Sequence, residues 1–219
     1  MKPSTLYLIL YNVMQVLGWG TILIKTVSGL LLASTKDQLY KNVELELQIF
    51  QTAAILEIVH TIIGLVRSPL GTTLAQVFSR ITVLWLILFN VASSRSSVGV
   101  PMLLLAWSLT EVVRYSYYAL SLLKTVPFLL TWMRYTLFLV LYPLGASGEV
   151  ITMISALPEI GEMKHLTSGT PDRLDFGLIF YGFVIFLCLA YIPGFPMLYG
   201  YMFLQRKKVL GKTERKQST

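Results

Sequence analysis

FGLIFYGFVIFLCLAYIPGFPMLYGYMFL, residues 176–204, runs for 29 positions without a charged side chain and is followed at once by QRKKVLGKTERK, residues 205–216. A helix needs about 20 apolar residues to cross the hydrocarbon core of a bilayer, so the first stretch reads as a transmembrane helix. The basic stretch after it reads as a cytosolic tail at the membrane surface, within reach of anionic lipid headgroups.

The rest of the chain has the same character. Of 219 residues, 55% are hydrophobic and 13% charged, with a mean hydropathy of +0.67, whereas a soluble domain carries about 25% charged residues. So much apolar surface cannot be hidden inside one small globule. Further spans are expected at residues 5–32, 45–66, 72–92, 100–123 and 126–157. With 176–204 they make an all-α integral membrane protein, a six-transmembrane-helix bundle. Residues 1–204 form the six-span membrane domain and 205–219 the basic cytosolic tail. The joins agree: Arg67-Ser68-Pro69 breaks the chain after the second span, residues 92–97 separate the third and fourth, and 158–175 is the longest polar stretch. Residues 6–32 are too long for a signal-peptide core and lack a small-residue cleavage site, so they read as a retained first span.

The net charge of +7 does not point to nucleic acid, because many of the basic residues sit in the tail rather than along an aromatic-interleaved patch. The single cysteine, Cys188, excludes an intrachain disulfide and a Cys-rich zinc site. It reads as a small buried apolar residue. Six spans put both termini on one side. That side holds Lys2, Arg67, Lys124 and six basic tail residues, and the other holds Lys25, Lys36, Lys41, Arg95, Lys164 and Arg173. Lys25 is assigned there by snorkelling to the far interface. The excess predicts cytosolic termini.

Six charges remain inside the spans: Arg80, Arg114, Arg134, Glu57, Glu111 and Glu149. Each costs a few kcal/mol at depth, so they must face one another or a wet cavity. The plain reading is a set of structural ion pairs, and the functional one is a polar reaction chamber. Glu57, His60, Gly64 and Arg67 fall near one helix face, and Gln76 and Arg80 are four apart. Ser108, Glu111 and Tyr115 share a face with Arg114 adjacent. Tyr142 and Glu149 are seven apart on one stripe, about 10 Å along the axis, with Pro143 and Gly145 between them to kink the helix and shorten that distance. The three arginines lie at similar depth from the cytosolic side. Such a basic collar suggests an anion drawn in from the cytosol, either acyl-CoA phosphates or an enolate forming at a thioester.

Four stretches carry a resemblance: LEIVHTIIGLVRSPLGTTLAQVFSR (56–80), AWSLTEVVRYSYY (106–118), RYTLFLVLYPLGASGE (134–149) and YIPGFPMLY (191–199). They closely resemble the eukaryotic very-long-chain (3R)-3-hydroxyacyl-CoA dehydratase family, also called protein-tyrosine-phosphatase-like and, in plants, Pasticcino type. The similarity covers nearly the whole chain, and the Tyr-Pro-x-Gly-x-x-x-Glu motif at 142–149 is its most specific part. The resemblance implies a multi-pass enzyme of the endoplasmic reticulum membrane that dehydrates 3-hydroxyacyl-CoA to trans-2-enoyl-CoA within fatty acid elongation, alongside other enzymes of the elongation complex. It places the catalytic pair on Tyr142 and Glu149. Supporting or substrate-binding positions fall on Arg80, Arg114, Arg134, Glu57, Gln76, Glu111 and Gly145.

The chemistry fits these residues. Dehydration needs a base for the proton at C2 and an acid for the hydroxyl leaving C3, and two titratable groups in different environments divide those roles. Tyr142 as base and Glu149 as acid is favoured over the reverse. No metal or cofactor is needed, and neither His60 nor His165 has a partner at ligand spacing. The phosphatase label fails on chemistry: His60 and Arg67 stand at the spacing of a His-Cys-x5-Arg loop, but Thr61 occupies the place of the nucleophilic thiol. Two other classes compete. One is a catalytically silent membrane scaffold, against which the intact Tyr142 and Glu149 argue. The other is a transporter, weakened by the lack of inverted repeats.

Overall fold

The computed structural model describes residues 2–66, 70–167 and 176–217, with side chains described for all of these except 70, 163–167, 176 and 211–217. The Arg67-Ser68-Pro69 break, His165 and the last part of the 158–175 join lie outside what is described. Every regular element among the described residues is helical. In chain order they are α1 (Pro3–Leu31), α2 (Lys36–Ala53), α3 (Ile55–Ile62), α4 (Leu70–Thr82) running into a π-helical segment (Val83–Leu88), α5 (Ala92–Arg95), α6 (Gly99–Leu122), α7 (Phe128–Thr136), α8 (Phe138–Thr167) and α9 (Phe176–Gln217). Four stretches are long and apolar enough to cross a membrane: Pro3–Leu31, Gly71–Leu88, Phe138–Glu162 and Gly177–Leu210.

Local chemistry sets the boundaries. Pro3 opens α1 behind an extended Lys2, where its missing N–H costs nothing. Thr35 and Gln38 form a reciprocal capping box that starts α2. The helix begins well before residue 45, the expected start of the second span, and a break at Ala54 separates α2 from α3. Gly64 has φ +73°, a left-handed conformation that ends α3 and costs glycine little. The expected stripe Glu57–His60–Gly64–Arg67 is therefore corrected: Gly64 lies past the helix end, and only Glu57 and His60 share a face of α3. At the other end of the bundle, α8 continues through Pro158 rather than stopping there. The Glu159 carboxylate accepts the Ala92 and Ser93 amides at 3.2 and 2.7 Å, satisfying donors that α5 leaves free at its N-terminus. Lys25 pairs with Glu46 and donates to the Asn42 carbonyl at 3.0 Å.

The bundle is built around α6, which packs on α1 on one side and α8 on the other, while α9 packs on α8 and α2 on α1. Its polarity is inside out. Asn12, Gln15, Gln51, His60, Glu111 and Glu149 are buried, while Leu17, Ile24, Val140, Ile192, Met197 and Leu204 are exposed. Water penalises such a surface, and lipid does not. Helices in lipid gain by close packing at small residues, and α6 and α8 cross at glycine. A Cβ on Gly148 would lie 2.8 Å from the Leu103 nitrogen and 2.9 Å from the Gly99 carbonyl oxygen. Both are backbone atoms that cannot swing away.

Gly148→Val is therefore expected to destabilise the bundle by about 1–3 kcal/mol, the usual cost of overpacking, read as a lower thermal midpoint in detergent. Gly20→Val, at a position where a Cβ meets nothing within 4 Å, should leave the midpoint unchanged.

Candidate active site

Tyr142, Gly145 and Glu149 occupy successive turns on one face of α8. Pro143 lies inside this helix and cannot donate the hydrogen bond that the Leu139 carbonyl would otherwise accept. The Tyr199 hydroxyl of α9 donates to that carbonyl instead, at 3.0 Å. The same Tyr199 ring stacks on Tyr142, centroids 5.7 Å apart and 9° from parallel, and Phe195 stacks on both. The proline thus brings α9 to the site, and α9 holds the Tyr142 ring.

Glu149 is fully engaged. Trp107 Nε1 of α6 donates to its Oε1 at 2.7 Å, and the Tyr191 hydroxyl of α9 meets its Oε2. Gly145 serves this arrangement: a Cβ there would press on Ala106 at 3.2 Å and reach Trp107 Cδ1 at 4.0 Å. Its lack of a side chain keeps the indole at the carboxylate.

Tyr142, Glu149, Gly145, Gln76, Arg80 and Tyr191 line one cavity of about 350 Å³ between α4, α6, α8 and α9. Arg80 packs against the Trp107 ring, its guanidinium carbon 5.5 Å from the centroid, and pairs with Glu111. Behind it a run of paired charges crosses the bundle. Glu111 also pairs with Arg114 at 2.7 Å, and Arg114 pairs with Glu57 at 2.6 Å and donates to the Tyr115 hydroxyl at 3.0 Å. Glu57 borders a second cavity of about 280 Å³, lined also by His60, Tyr11, Tyr115 and Tyr118. His60 is committed to the Tyr7 hydroxyl at 2.9 Å.

The collar of three arginines converging on one chamber is therefore corrected. Arg80 faces the cavity, and Arg114 is spent on Glu111 and Glu57. Arg134 donates to Tyr118 at 2.9 Å and sits against the rings of Tyr117, Tyr118 and Tyr135. Equal depth did not bring them together, because each buried guanidinium takes the nearest carboxylate or π-face that offsets its desolvation. Sequence reasoning did not single out Trp107, Tyr191 or Tyr199. Their signal was present: a buried indole N–H or phenol inside a span needs an acceptor, and both Glu149 and Pro143 leave acceptors to be met.

Known proteins match this chain along most of its length. Residues 51–212 match the family described as protein tyrosine phosphatase-like protein, PTPLA. The chain is 56% identical over 212 residues to the very-long-chain (3R)-3-hydroxyacyl-CoA dehydratase hpo-8 of Caenorhabditis elegans, covering 96% of this chain and 97% of the relative. It is 41% identical to the human very-long-chain (3R)-3-hydroxyacyl-CoA dehydratase 2, covering 96% of this chain and 83% of the relative. It is 39% identical to PASTICCINO 2 of Arabidopsis thaliana, another protein of that dehydratase name, covering 95% of each. No solved structure matches. With this cover and identity, the chain belongs to the protein tyrosine phosphatase-like family, the family of these very-long-chain (3R)-3-hydroxyacyl-CoA dehydratases.

Proposed function

We propose that this chain dehydrates very-long-chain (3R)-3-hydroxyacyl-CoA to trans-2-enoyl-CoA, the third step of the fatty acid elongation cycle, with Tyr142 and Glu149 as its catalytic pair. The observation that carries the reading is that both side chains line one cavity inside the bundle, each gripped by aromatic residues of α9. Elimination breaks the C2–H and C3–O bonds. Tyr142, as phenolate, takes the C2 proton. Glu149 delivers a proton to the departing hydroxyl, which leaves as water. The Trp107 N–H can only donate, so Oε1 of Glu149 is held as an acceptor, and Oε2, shared with the Tyr191 hydroxyl, is the oxygen that carries the proton. Return of a proton from Tyr142 to Glu149 resets the pair. Gln76 and the N–H groups of Arg80 border the same space and offer donors for negative charge developing on the thioester oxygen. Glu111, Arg114 and Glu57 act at one remove, by holding Arg80. Arg134, locked among tyrosines, supports the fold beside them.

The same reading takes the chain to cross the membrane six times: α1, α2 with α3, α4 with its π segment, α6, α7 with α8, and α9. The crossing by α6 is supported by its length, about 36 Å at 1.5 Å per residue, and by its place between α1 and α8. Its polar residues face neighbours rather than lipid. We place residues 1–204 in the endoplasmic reticulum membrane, the tail 205–219 and the N-terminus in the cytosol, and the other elongation enzymes among the partners. Protease added to sealed microsomes should remove an epitope at residue 219. Protection of that epitope would reverse the orientation.

Tyr142→Phe and Glu149→Gln keep shape and remove one titratable group each. Each is expected to lower turnover of a long-chain 3-hydroxyacyl-CoA by about 10²–10⁴-fold with the thermal midpoint retained. Normal turnover by either folded variant would remove that residue from the chemistry. A substrate with a better leaving group at C3 should restore Glu149→Gln more than Tyr142→Phe. The opposite pattern would exchange acid and base.

A further inference from the structure

The cavity that holds Tyr142 and Glu149 has a closed back and an open side. Its back is α6 and α8, which cross in backbone contact at Gly99 and Gly148. Its two side walls are α4 with the π segment, contributing Ala75, Phe78 and Val83, and α9, contributing Phe186, Leu187 and Ala190. The α4 wall packs on α3 and the π segment on α8, whereas α9 packs on α8 and α7; no comparable packing joins α4 to α9 among the described residues. Rim residues on both walls are exposed: Phe78 is 57% and Phe186 65% accessible, and Ala75 and Ala190 are exposed as well. Both walls lie in stretches apolar enough to cross a membrane, so the gap between them faces lipid.

Size decides what the gap is for. About 350 Å³ is near the lower end of the range, roughly 300–1,000 Å³, that buries a single drug-sized ligand. A very long acyl chain carried on coenzyme A does not fit inside it. The polar groups are gathered around Glu149, Tyr142 and Gln76, so the thioester end of the substrate is what the cavity is made to hold. The remaining chain is as apolar as the lipid tails, and leaving it among them exposes nothing to water.

We propose that the gap between α4 and α9, rimmed by Phe78, Phe186 and Ala190, is a lateral portal through which the distal acyl chain of the substrate lies in the bilayer while its thioester end sits at Tyr142 and Glu149. This rests on the dehydratase reading of the cavity. The portal makes the protein insensitive to chain length beyond the part that the cavity encloses. It also lets a membrane-dissolved chain enter and leave sideways.

The test is chain-length dependence in lipid nanodiscs. Ala190→Trp and Ala75→Trp narrow the gap. Each is expected to lower kcat/KM for a twenty-carbon 3-hydroxyacyl-CoA by roughly tenfold more than for a six-carbon one, the scale of loss that misplacing a substrate brings. Losses that are equal at both lengths, or absent at both, overturn the portal. Should the bulky variants fail to fold, photo-crosslinking on the unaltered chain decides the same point. A diazirine on the terminal carbon of the twenty-carbon substrate should give adducts at Phe78 and Phe186 that excess unlabelled substrate suppresses. Adducts confined to bundle-interior residues such as Trp107 and Met153, or no suppressible adducts, overturn it. If the unaltered chain dehydrates neither length, it is the dehydratase reading that falls, and the portal with it.

Discussion

Four charges in a row, Arg80, Glu111, Arg114 and Glu57, tie α4, α6 and α3 together across the interior of the bundle. Two cations and two anions alternate, so the run is neutral as a whole. Neutrality is what makes its burial tolerable: an ion left alone in a low-dielectric interior costs several kcal/mol, and removing one partner of a buried pair costs about 3–5 kcal/mol. The run also decides which groups are left over for chemistry. Arg114 and Glu111 are consumed by each other, Glu57 is turned to the second cavity with Tyr115, and Arg80 is delivered to the Trp107 ring. Glu149 is the one carboxylate of the three within the spans that is met by an indole and a phenol rather than by a guanidinium. Its protonation state is therefore not locked by a fixed positive charge.

The second organising feature is a backbone defect put to use. A proline inside a membrane helix frees a carbonyl, and hydrocarbon offers it no donor. Pro143 frees Leu139, and the repair by Tyr199 draws α9 against α8 where Tyr142 and Glu149 face inward. Stacking of Tyr199 and Phe195 on Tyr142 and the bond from Tyr191 to Glu149 follow from the same docking. One helix thus orients both members of the pair, and the tight α6–α8 crossing at glycine sets the distance from which Trp107 reaches them.

Membrane residence, the helical class and the family were legible from composition, apolar run lengths and the four stretches of resemblance. So was the need for buried charges to find partners, since the cost of a lone charge in hydrocarbon does not depend on the fold. The arginine collar shows where that reasoning ends. Depth along a span is a one-dimensional quantity, and three residues at one depth still point in directions set by helix rotation. The stripe through Gly64 failed for a related reason. Helical spacing was extended past a residue whose left-handed φ ends the helix, and a single glycine in an apolar run does not announce which conformation it takes.

What the sequence by itself determined is therefore everything that follows from free energies of transfer: which segments enter lipid, which residues cannot stand there alone, and that Tyr142 and Glu149 share a helical stripe. What only the tertiary structure decided is who meets whom. Trp107, Tyr191 and Tyr199 come from α6 and α9, 42 or more residues from the groups they hold. The gap between α4 and α9 belongs to neither helix. Pairing and enclosure depend on the rotation and crossing of helices, which packing between distant segments sets and no local pattern encodes.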